Sequence, residues 1–463
     1  MVALYDTAAR DVVEIKPSGD TLTMYTCGPT VYRYAHIGNL RTFLLPDLIA
    51  RAFDYQGTGV RAIQNITDVG HMTDELFDGG EDRMLLAAGI ENRSPEEIAA
   101  YYTDFYFRDI EAFNLRRAES YPRASDHISH MIELIVRLIE RGHAYEVGGN
   151  VYYDVTSFPS YGNLSRNSLE ELQQGHRNVE ADPNKRHHAD FLLWKAAGPK
   201  RVIHFPSPWG DGYPGWHIEC SAMSLAHLGD EFDVHTGGVD LIFPHHEDEI
   251  AQSEGATGSR VVRHWVHSQH LLAEGRKMSK SAENFFDVRD LEKRGHTDPL
   301  AFRLLCLQTR YRAQFNFTFD ALSGAERTLD RWRRLVADWS DAPAPSRAAG
   351  GRFEERFLRA MNADLDTPTI VALIAEVIGT ADLDPADKVS LLQGWDRFLG
   401  LDLARDAGKE LHLPGGASEL IEQRERARAS KDWSESDRLR TELSELGVEI
   451  EDTPSGPKPR ITR

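Results

Sequence analysis

The chain has 463 residues, of which 41% are hydrophobic and 27% charged, which predicts a globular protein of two to four domains. Its net charge of −20 argues against a protein that coats nucleic acid, although a local basic face can still bind one. No apolar run approaches the ~18 residues of a membrane span, no signal peptide is recognisable, and three scattered cysteines cannot form a disulfide framework. We therefore expect a cytoplasmic protein without a membrane partner.

Four short β-rich runs alternate with helical patterns along the first 270 residues. The runs are Leu22–Cys27, Val60–Thr67, Glu231–His235 and Val261–His267, and the helical patterns include Arg41–Tyr55 and Ser125–Arg141. This alternation predicts an α/β domain with a Rossmann-like parallel sheet. No GxGxxG sequence follows any of these runs, which excludes the dinucleotide-binding version of that fold.

Changes in composition predict the domain boundaries. Residues 1–118 and 205–270 are interpreted as two halves of the sheet domain, separated by an inserted connective subdomain, 119–204, with the hairpin-like run Asn150–Val155. Residues 271–342 follow the last β run, and β signals vanish after about residue 285. Pro343–Gly351 is a linker, 343–405 a helical domain, and 406–463 a final region with a charged helical segment, Ala417–Leu446.

A short motif, His36-Ile37-Gly38-Asn39, follows the first β run at the predicted start of a helix. The free N–H groups and partial positive charge of a helix N-terminus favour phosphate. Gly38 allows close approach to the backbone, and His36 and Asn39 can donate hydrogen bonds to phosphate oxygens. A four-residue motif is also compatible with an ordinary helix start, so on its own it leaves open whether this is a phosphate site.

A second motif, Lys277-Met278-Ser279-Lys280-Ser281, lies in a loop after the last β run. Two lysines three positions apart can neutralise charge on a pyrophosphate leaving group, although surface lysines are more commonly just solvated. In this order the two motifs resemble the signature of class I aminoacyl-tRNA synthetases, with Asn39 in place of the family's final histidine. Asparagine still donates a hydrogen bond but cannot carry a positive charge.

A third group of residues predicts a metal site. If Pro244 opens a helix, His245 and Glu249 stand at i and i+4 on one face, and Cys27 and Cys220 add two thiols. Two thiolates, one imidazole and one carboxylate form a ligand set typical of zinc. The alternative is that both cysteines are small buried hydrophobic residues and that the His/Glu run is a charged helix start. Cys306 lies in an apolar helical run and is predicted to be a core residue.

Nearly the whole chain resembles cysteinyl-tRNA synthetases. The segments that carry the resemblance are TMYTCGPTVYRYAHIGN, NITDVGH, GNVYYDV, FLLWKAA, PGWHIECSAMS, VHTGGVDLIFPHHEDEIAQSE, GRKMSKSAENF, KDWSESDRLRTEL and GVEIEDTPSG. The resemblance implies ATP-dependent activation of L-cysteine to cysteinyl adenylate and its transfer to the 3′ end of tRNA(Cys). It implies one Zn²⁺ per chain that recognises the substrate thiolate, Mg²⁺ accompanying ATP, and a monomer. Residues 271–342 would contact the tRNA stem, and 406–463 would bind the anticodon.

The resemblance also assigns roles to single residues. The zinc ligands fall on Cys27, Cys220, His245 and Glu249, which leaves His246 and Glu247 as non-ligands. The catalytic residues are His36, Asn39, Lys277 and Lys280; the ATP-binding residues are His36, Gly38, Asn39, Asp240 and Lys280; the substrate-binding residues are Thr67, Trp216 and His235.

Two departures from the family pattern stand out. Asn65–Glu81 is a longer acidic, glycine-bearing form of a short acidic run, interpreted as a subtype. The end of the chain lacks the usual Trp after Asp-Thr-Pro-x-Gly, leaving Trp433 and the basic residues Lys458, Arg460 and Arg463 as substitutes for reading the anticodon.

Two alternative functions are compatible with parts of the pattern. One is a paralogous ligase of the mycothiol type, which passes cysteinyl adenylate to a small amine. The complete C-terminal region argues against it. The other is a catalytically inactive regulator, which the retained His36, Lys277 and Lys280 argue against.

Overall fold

The computed structural model describes residues 1–69, 72–74, 79–168, 182–198, 201–278, 284–340, 350–409, 413–453 and 456–461, with backbone alone at 72–74, 79–83, 453, 458, 460 and 461. Contacts divide the chain into two compact units, Met1–Arg405 and Asp406–Arg463. No helix in the described ranges is both long and apolar enough to cross a bilayer.

A four-stranded, fully parallel sheet lies at the centre of the first unit and confirms the predicted α/β class. The strands run in the spatial order Val262–Ser268, Phe232–Gly238, Thr21–Thr26 and Gly59–Gln64. The two inner strands come from the two halves of the domain, with His235 opposite Tyr25 and Thr236 opposite Thr26. All seven residues of Phe232–Gly238 are buried, as expected for an inner strand of a covered parallel sheet.

The two inner strands mark a switch point, because the chain moves from them toward opposite edges of the sheet. From Thr21–Thr26 it passes through the helix Ile37–Tyr55 to one edge strand, and from Phe232–Gly238 through the helix Glu247–Thr257 to the other. Open parallel sheets bind ligands in the crevice at the carboxyl ends of strands at such a point. The fold therefore predicts a site beside Cys27 and Gly238.

Between the two halves lies a separate antiparallel sheet. Its strands are Ala144–Val147, Asn150–Tyr153, Phe191–Ala196 and Gly212–Pro214, each paired with the next in chain order. The predicted hairpin-like run Asn150–Val155 supplies the second of these strands. The helices of the first unit are Ile37–Tyr55, Arg83–Glu91, Pro95–Ala112, Ile128–Glu140, Trp216–Leu228, Glu247–Thr257, Val288–Lys293, Pro299–Leu307, Phe319–Trp339, Gly351–Asn362, Thr367–Gly379 and Pro385–Leu399.

The prediction that β structure ends near residue 285 is wrong. Phe315–Phe317 pairs in parallel with Leu271–Ala273, and Val448–Thr453 forms an antiparallel hairpin with Gly456–Ile461. A three-residue strand is too short to show a period, and the second hairpin strand carries two prolines, which normally argue against a strand. A two-stranded hairpin tolerates them because each strand has one open edge. Val448 and Ile450 are nevertheless buried against the helices Ala417–Ala429 and Trp433–Glu445 of the second unit.

A buried ion network stabilises the first helix. The carboxylate of Asp47 accepts hydrogen bonds from Arg51 at 3.0 Å and from Arg303 at 2.5 Å, and Arg303 also donates to the carbonyl oxygen of Leu399. Asp47 and Arg303 have side-chain exposures of 1% and 0%. Burial opposes ionisation of Asp47, but the charges of Arg303 and Arg51 outweigh it and lower the pKa of Asp47.

We expect Asp47→Asn to lower the free energy of unfolding by about 3–5 kcal/mol, because it leaves two buried guanidinium groups uncompensated. A carboxyl with a lowered folded pKa contributes stability above its unfolded pKa of ~3.9, and loses it as pH falls toward the folded value. The difference in the free energy of unfolding between wild type and variant, measured with urea, should thus be largest at neutral pH and decrease below pH ~4. Asp104 forms an exposed ion pair with Arg108, so Asp104→Asn is the control and should lower the free energy of unfolding by less than about 1 kcal/mol.

Candidate functional site

Cys27, Cys220, His245 and Glu249 come together at the carboxyl end of the sheet. Their donor atoms all lie within 4.8 Å of one another, and all four residues are buried. The two Sγ atoms are 3.8 Å apart, Cys27 Sγ lies 3.7 Å from Glu249 Oε1, and His245 Nε2 lies 2.9 Å from the same oxygen. The structure thus brings together all four predicted zinc ligands.

Each of the four residues is positioned by a different part of the fold. Cys27 follows the strand Thr21–Thr26, Cys220 lies within the helix Trp216–Leu228, and His245 lies in the turn Ile242–His246 that leads into the helix bearing Glu249. Gly28 is required beside Cys27, because a Cβ there would lie 1.7 Å from the carbonyl oxygen of Asn65. Instead, the N–H of Gly28 donates to Asn65 Oδ1 at 2.8 Å, which fixes the chain next to Cys27.

The hydrogen bonds of His245 fit a metal ligand. Its Nδ1 lies 2.8 Å from His217 Nδ1, and His217 Nε2 lies 3.4 Å from Asp248 Oδ2. The buried Nε2 of His245 makes no hydrogen bond of acceptable geometry with the residues that the structure describes. A metal-binding histidine typically uses one ring nitrogen for the ion and the other for an orienting partner. The residues present therefore fit a metal ion, and the mixed sulfur, nitrogen and oxygen set fits zinc.

A second donor set overlaps the first and consists of Cys27, His235, His246 and Glu249. His246, predicted from the sequence to be a non-ligand, has Nε2 3.3 Å from Cys27 Sγ, and its Nδ1 lies 2.7 Å from His267 Nε2. The two sets differ in what they face. Cys27, Cys220 and His245 line a cavity, whereas His235 and His246 do not contribute to its described lining. Only the first set offers two sulfurs and direct access to a ligand.

The protonation of these groups favours a cation. Burial opposes ionisation of Glu249, but His235 and His245 outweigh it and lower its pKa to about 2. Burial and the hydrogen bond to Cys220 raise the pKa of Cys27, while the same hydrogen bond lowers the pKa of Cys220 to about 7. Burial lowers the pKa of His245, but Glu249 and Cys220 outweigh it and raise that pKa. Glu249 and Cys220 thus offer two anionic donors, and a metal ion would take the place of the proton on His245.

The adjoining cavity has a volume of about 200 Å³. Two of the three predicted substrate-binding residues line it, Thr67 and Trp216. Trp216 is half-buried, with its ring 4.5 Å from that of His245. Thr67 donates from Oγ1 to Glu219 Oε2 at 2.9 Å.

The third predicted substrate-binding residue, His235, is completely buried and lies behind Glu249, with Nε2 2.8 Å from Glu249 Oε2. Contact of His235 with the substrate itself is therefore not supported by its position. An orienting role toward Glu249 fits its position instead.

The first predicted phosphate motif contributes Asn39 to the lining of the same cavity. His36 and Asn39 form a reciprocal helix cap: Asn39 N–H donates to His36 Nδ1, and His36 N–H donates to Asn39 Oδ1, both at 3.1 Å. Burial, with the nearby charge of Arg33, lowers the pKa of His36 to about 4. His36 is thus neutral at pH 7 and has its proton on Nε2, because Nδ1 accepts.

The two phosphate motifs meet at Gly38. A Cβ at Gly38 would lie 2.6 Å from Met278 Cε, so the glycine permits the close contact. Lys277 is exposed on the short strand Arg276–Lys277, and Lys280 lies outside the described residues. Asp240 lines the cavity, is largely exposed, and has Oδ1 3.9 Å from His270 Nδ1.

The sequence interpretation missed the polar residues that support the site, chiefly His217, Glu219 and Asp248. All three are buried, and two of them belong to the helix Trp216–Leu228, in which every residue from 217 to 224 is buried. Polar residues in a helix are usually assigned to its solvated face, so nothing in their spacing predicted this. The one signal was that Glu219 and Asp248 stand immediately before the predicted metal ligands Cys220 and Glu249.

Comparisons with known proteins agree with this geometry. Residues 14–327 match the family model described as tRNA synthetases class I (C) catalytic domain, and residues 412–456 match the cysteinyl-tRNA ligase anticodon binding domain. A cysteine-tRNA ligase of Thermus thermophilus is 43% identical over 100% of both chains. That of Salinibacter ruber is 42% identical, covering 98% of this chain and 97% of the relative.

A solved structure supports the fold independently. Methionyl-tRNA synthetase of Mycobacterium tuberculosis in complex with methionyl-adenylate superposes with a TM-score of 0.58 at 14% identity, covering 84% of this chain and 93% of that one. At this identity the likeness concerns the fold alone. The full-length relatives and the two family models show that the chain belongs to the cysteine-tRNA ligase family of class I aminoacyl-tRNA synthetases.

Proposed function

We propose that the chain activates L-cysteine with ATP and transfers it to the 3′ end of tRNA(Cys), and that Cys27, Cys220, His245 and Glu249 hold one zinc ion that selects the substrate. The observation that carries the proposal is a single cavity. Its lining includes Cys27, Cys220 and His245 together with Asn39 and Asp240. A predicted thiol-selecting centre and a residue of the phosphate-binding helix start thus line the same cavity.

The reaction has two steps. The carboxylate of cysteine attacks the α-phosphate of ATP, a P–O bond forms, and pyrophosphate leaves. A hydroxyl at the 3′ end of tRNA then attacks the carbonyl carbon of the adenylate, and AMP leaves. We assign His36 Nε2–H and the amide of Asn39 to donate to phosphate oxygens, and Lys277 and Lys280 to neutralise the leaving pyrophosphate, with Mg²⁺ accompanying ATP.

The zinc ion, when bound, supplies a borderline Lewis acid that prefers the thiolate of cysteine to the hydroxyl of serine. The chain's own residues complete the selection. Trp216 forms an apolar wall beside His245, and Thr67, held by Glu219, offers a polar contact in the lining of the same cavity. A site built on one specific polar contact can reject an analogue that lacks it by ~10⁴–10⁵ without editing.

The decisive experiment measures ATP–pyrophosphate exchange with each of the twenty amino acids, followed by charging of purified tRNA. We expect exchange with cysteine alone and charging of tRNA(Cys). Exchange with cysteine but no charging would favour the ligase that acts on a small amine. The match of residues 412–456 to an anticodon-binding domain argues against that ligase. No exchange with any amino acid would favour the inactive regulator.

The proposal also covers the cellular compartment and the oligomeric state of the chain. Cys27, Cys220 and Cys306 are all free thiols, which suits a reducing cytosol. We propose a monomer, because one chain supplies both the predicted metal ligands and the phosphate-motif residue Asn39 to the described cavity. Light scattering of the purified chain would test this, and a dimeric mass would contradict it.

Trp433 is proposed to substitute for the missing C-terminal tryptophan. It is 59% exposed at the first position of the helix Trp433–Glu445, so its ring is available to stack on an unpaired base. Stacking on one base contributes ~1–3 kcal/mol, so we expect Trp433→Ala to raise the KM for tRNA about 10-fold without changing ATP–pyrophosphate exchange. Leu446→Ala, an exposed apolar residue of the same unit, is the control. An unchanged KM for tRNA in Trp433→Ala would exclude this role.

A further inference from the structure

Three histidines outside the cavity lie together where two helices pack. His127 ends the short turn Ala124–His127, and His130 lies one turn further along in the helix Ile128–Glu140. His227 lies in the last turn of the helix Trp216–Leu228. The ring centroid of His127 is 5.2 Å from that of His130 and 5.1 Å from that of His227. None of the three lines the described cavity or belongs to either donor set.

The hydrogen bonds of His127 fix the direction of its lone pair. Its Nδ1 lies 2.7 Å from the carbonyl oxygen of Arg123, which can only accept, so Nδ1 carries the proton. The unprotonated Nε2 points at His227 Nε2, 3.0 Å away. An orienting hydrogen bond from one ring nitrogen to a backbone carbonyl is the arrangement that prepares a histidine for metal binding.

The spacing of the two nitrogens matches a shared ion. Ligand nitrogens about 2.0–2.1 Å from a zinc ion, at angles between roughly 90° and a tetrahedral value, stand about 2.8–3.4 Å apart. We propose that His127, His227 and His130 form a second metal site, which takes a borderline divalent transition ion of the Zn²⁺ or Ni²⁺ class. His127 and His227 bring two Nε2 atoms to this spacing, a tilt of their rings away from the present hydrogen bond directs both at the ion, and rotation of the exposed His130 side chain supplies the third ligand. Imidazole is the ligand type that these ions prefer.

The protonation and surroundings of the cluster allow an ion to bind. Without metal, His227 Nε2–H donates to His127 Nε2; with metal, the proton of His227 moves to Nδ1, so no net proton is released. Burial, with the neighbouring His127, lowers the pKa of His227, which keeps it neutral and available as a ligand at pH 7. The nearby cation Arg61 opposes metal binding, but its charge is offset by Glu119 at 3.1 Å. His127 and His227 are half-buried and His130 is exposed, so an ion reaches the site directly from solvent.

Occupation of this site would link two parts of the first unit. His127 and His130 lie at the start of the predicted insertion, whereas His227 lies on the helix that also carries Cys220 and Trp216. An ion held by both parts therefore stabilises the packing of that helix. Because it binds only the folded arrangement, it should raise the unfolding temperature as zinc concentration rises.

Equilibrium dialysis of the full chain against micromolar ZnCl₂, followed by metal analysis, tests the proposal. We expect wild type to bind one more zinc per chain than either His127→Gln or His227→Gln. His130→Gln should weaken the extra zinc by about 10-fold. His204→Gln, which alters a partly exposed histidine elsewhere, is the matched control and should bind as wild type.

The readout is a difference between variants, so it does not depend on whether the cysteine-containing site is filled. A second measurement, the zinc-dependent rise in unfolding temperature, should be larger in wild type and His204→Gln than in His127→Gln and His227→Gln. Equal zinc counts in all four proteins would overturn the proposal. So would a zinc-dependent rise of the same size in all four.

Discussion

Replacing Cys220 with serine is expected to remove bound zinc and to lower cysteine-dependent ATP–pyrophosphate exchange by about 10³- to 10⁴-fold. Serine keeps the shape of the side chain but exchanges a thiol whose pKa is lowered to about 7 for a hydroxyl that does not ionise near neutral pH. The remaining donors, Cys27, His245 and Glu249, then provide one sulfur instead of two. Selectivity should fall together with rate, because the thiol-selecting element is lost.

Metal content by mass spectrometry and exchange kinetics, measured on the same preparation, check this prediction. Cys306→Ser is the matched control, because Cys306 is equally buried but lies in the apolar helix Pro299–Leu307, away from the site. Burial raises the pKa of Cys306 to about 12, so it is an inert thiol. The control should lose some stability and keep its zinc and its exchange activity. A Cys220→Ser protein with full activity and no zinc would refute the proposed selection mechanism.

The sheet was predictable from the sequence because its strands are compact apolar runs bounded by turns. All four predicted runs overlap the observed strands, and their alternation with helices predicted the parallel order of an α/β domain. The final hairpin was not predictable in the same way. Half of its first strand, Val448–Thr453, is acidic, and two buried side chains in six residues do not stand out from a charged tail.

The candidate site, like the fold, was only partly predictable from the sequence. Cysteine, histidine and glutamate at unusual positions are chemically distinctive, and the structure brings Cys27, Cys220, His245 and Glu249 together. The depth at which residues lie is not visible in a sequence. His235 was predicted to contact substrate, but it lies behind Glu249, because the strand that carries it is buried along its whole length. His246, predicted to be a non-ligand, also lies close to Cys27, and a sequence does not show such proximity between distant segments.

Asn39 shows how a local interaction changes the meaning of a motif. The sequence indicated only that asparagine replaces the family's histidine and keeps a donor. In the structure its Oδ1 also caps the backbone N–H of His36, while its own N–H is capped by His36 Nδ1. One residue thus has a structural acceptor and a proposed catalytic donor, and these two roles can be separated by substitution.

We expect Asn39→Asp to preserve the helix cap and to lower adenylate formation by about 10²- to 10³-fold, the usual cost of removing one donor to a transition-state charge. Aspartate presents the same acceptor to His36 N–H but has no amide to donate, and it places a negative charge beside the phosphates. Asn39→Ala removes both acceptor and donor, so it should reduce activity similarly and also lower stability by about 1 kcal/mol. Single-turnover adenylate formation and thermal unfolding, measured on both variants, separate the two roles.

His36→Ala completes the comparison. Because the pKa of His36 is lowered to about 4, its imidazole is neutral from pH 5.5 upward, and wild-type adenylate formation should show no titration of His36 between pH 6 and pH 8. The variant should be slower by about 10²-fold or more at every pH in that range, since it loses a neutral donor and not a charge. Activity of Asn39→Asp close to wild type would show that Asn39 is only a cap. A wild-type rate that falls across pH 6–8 in step with one deprotonation, and a His36→Ala rate that does not, would instead require a charged imidazole.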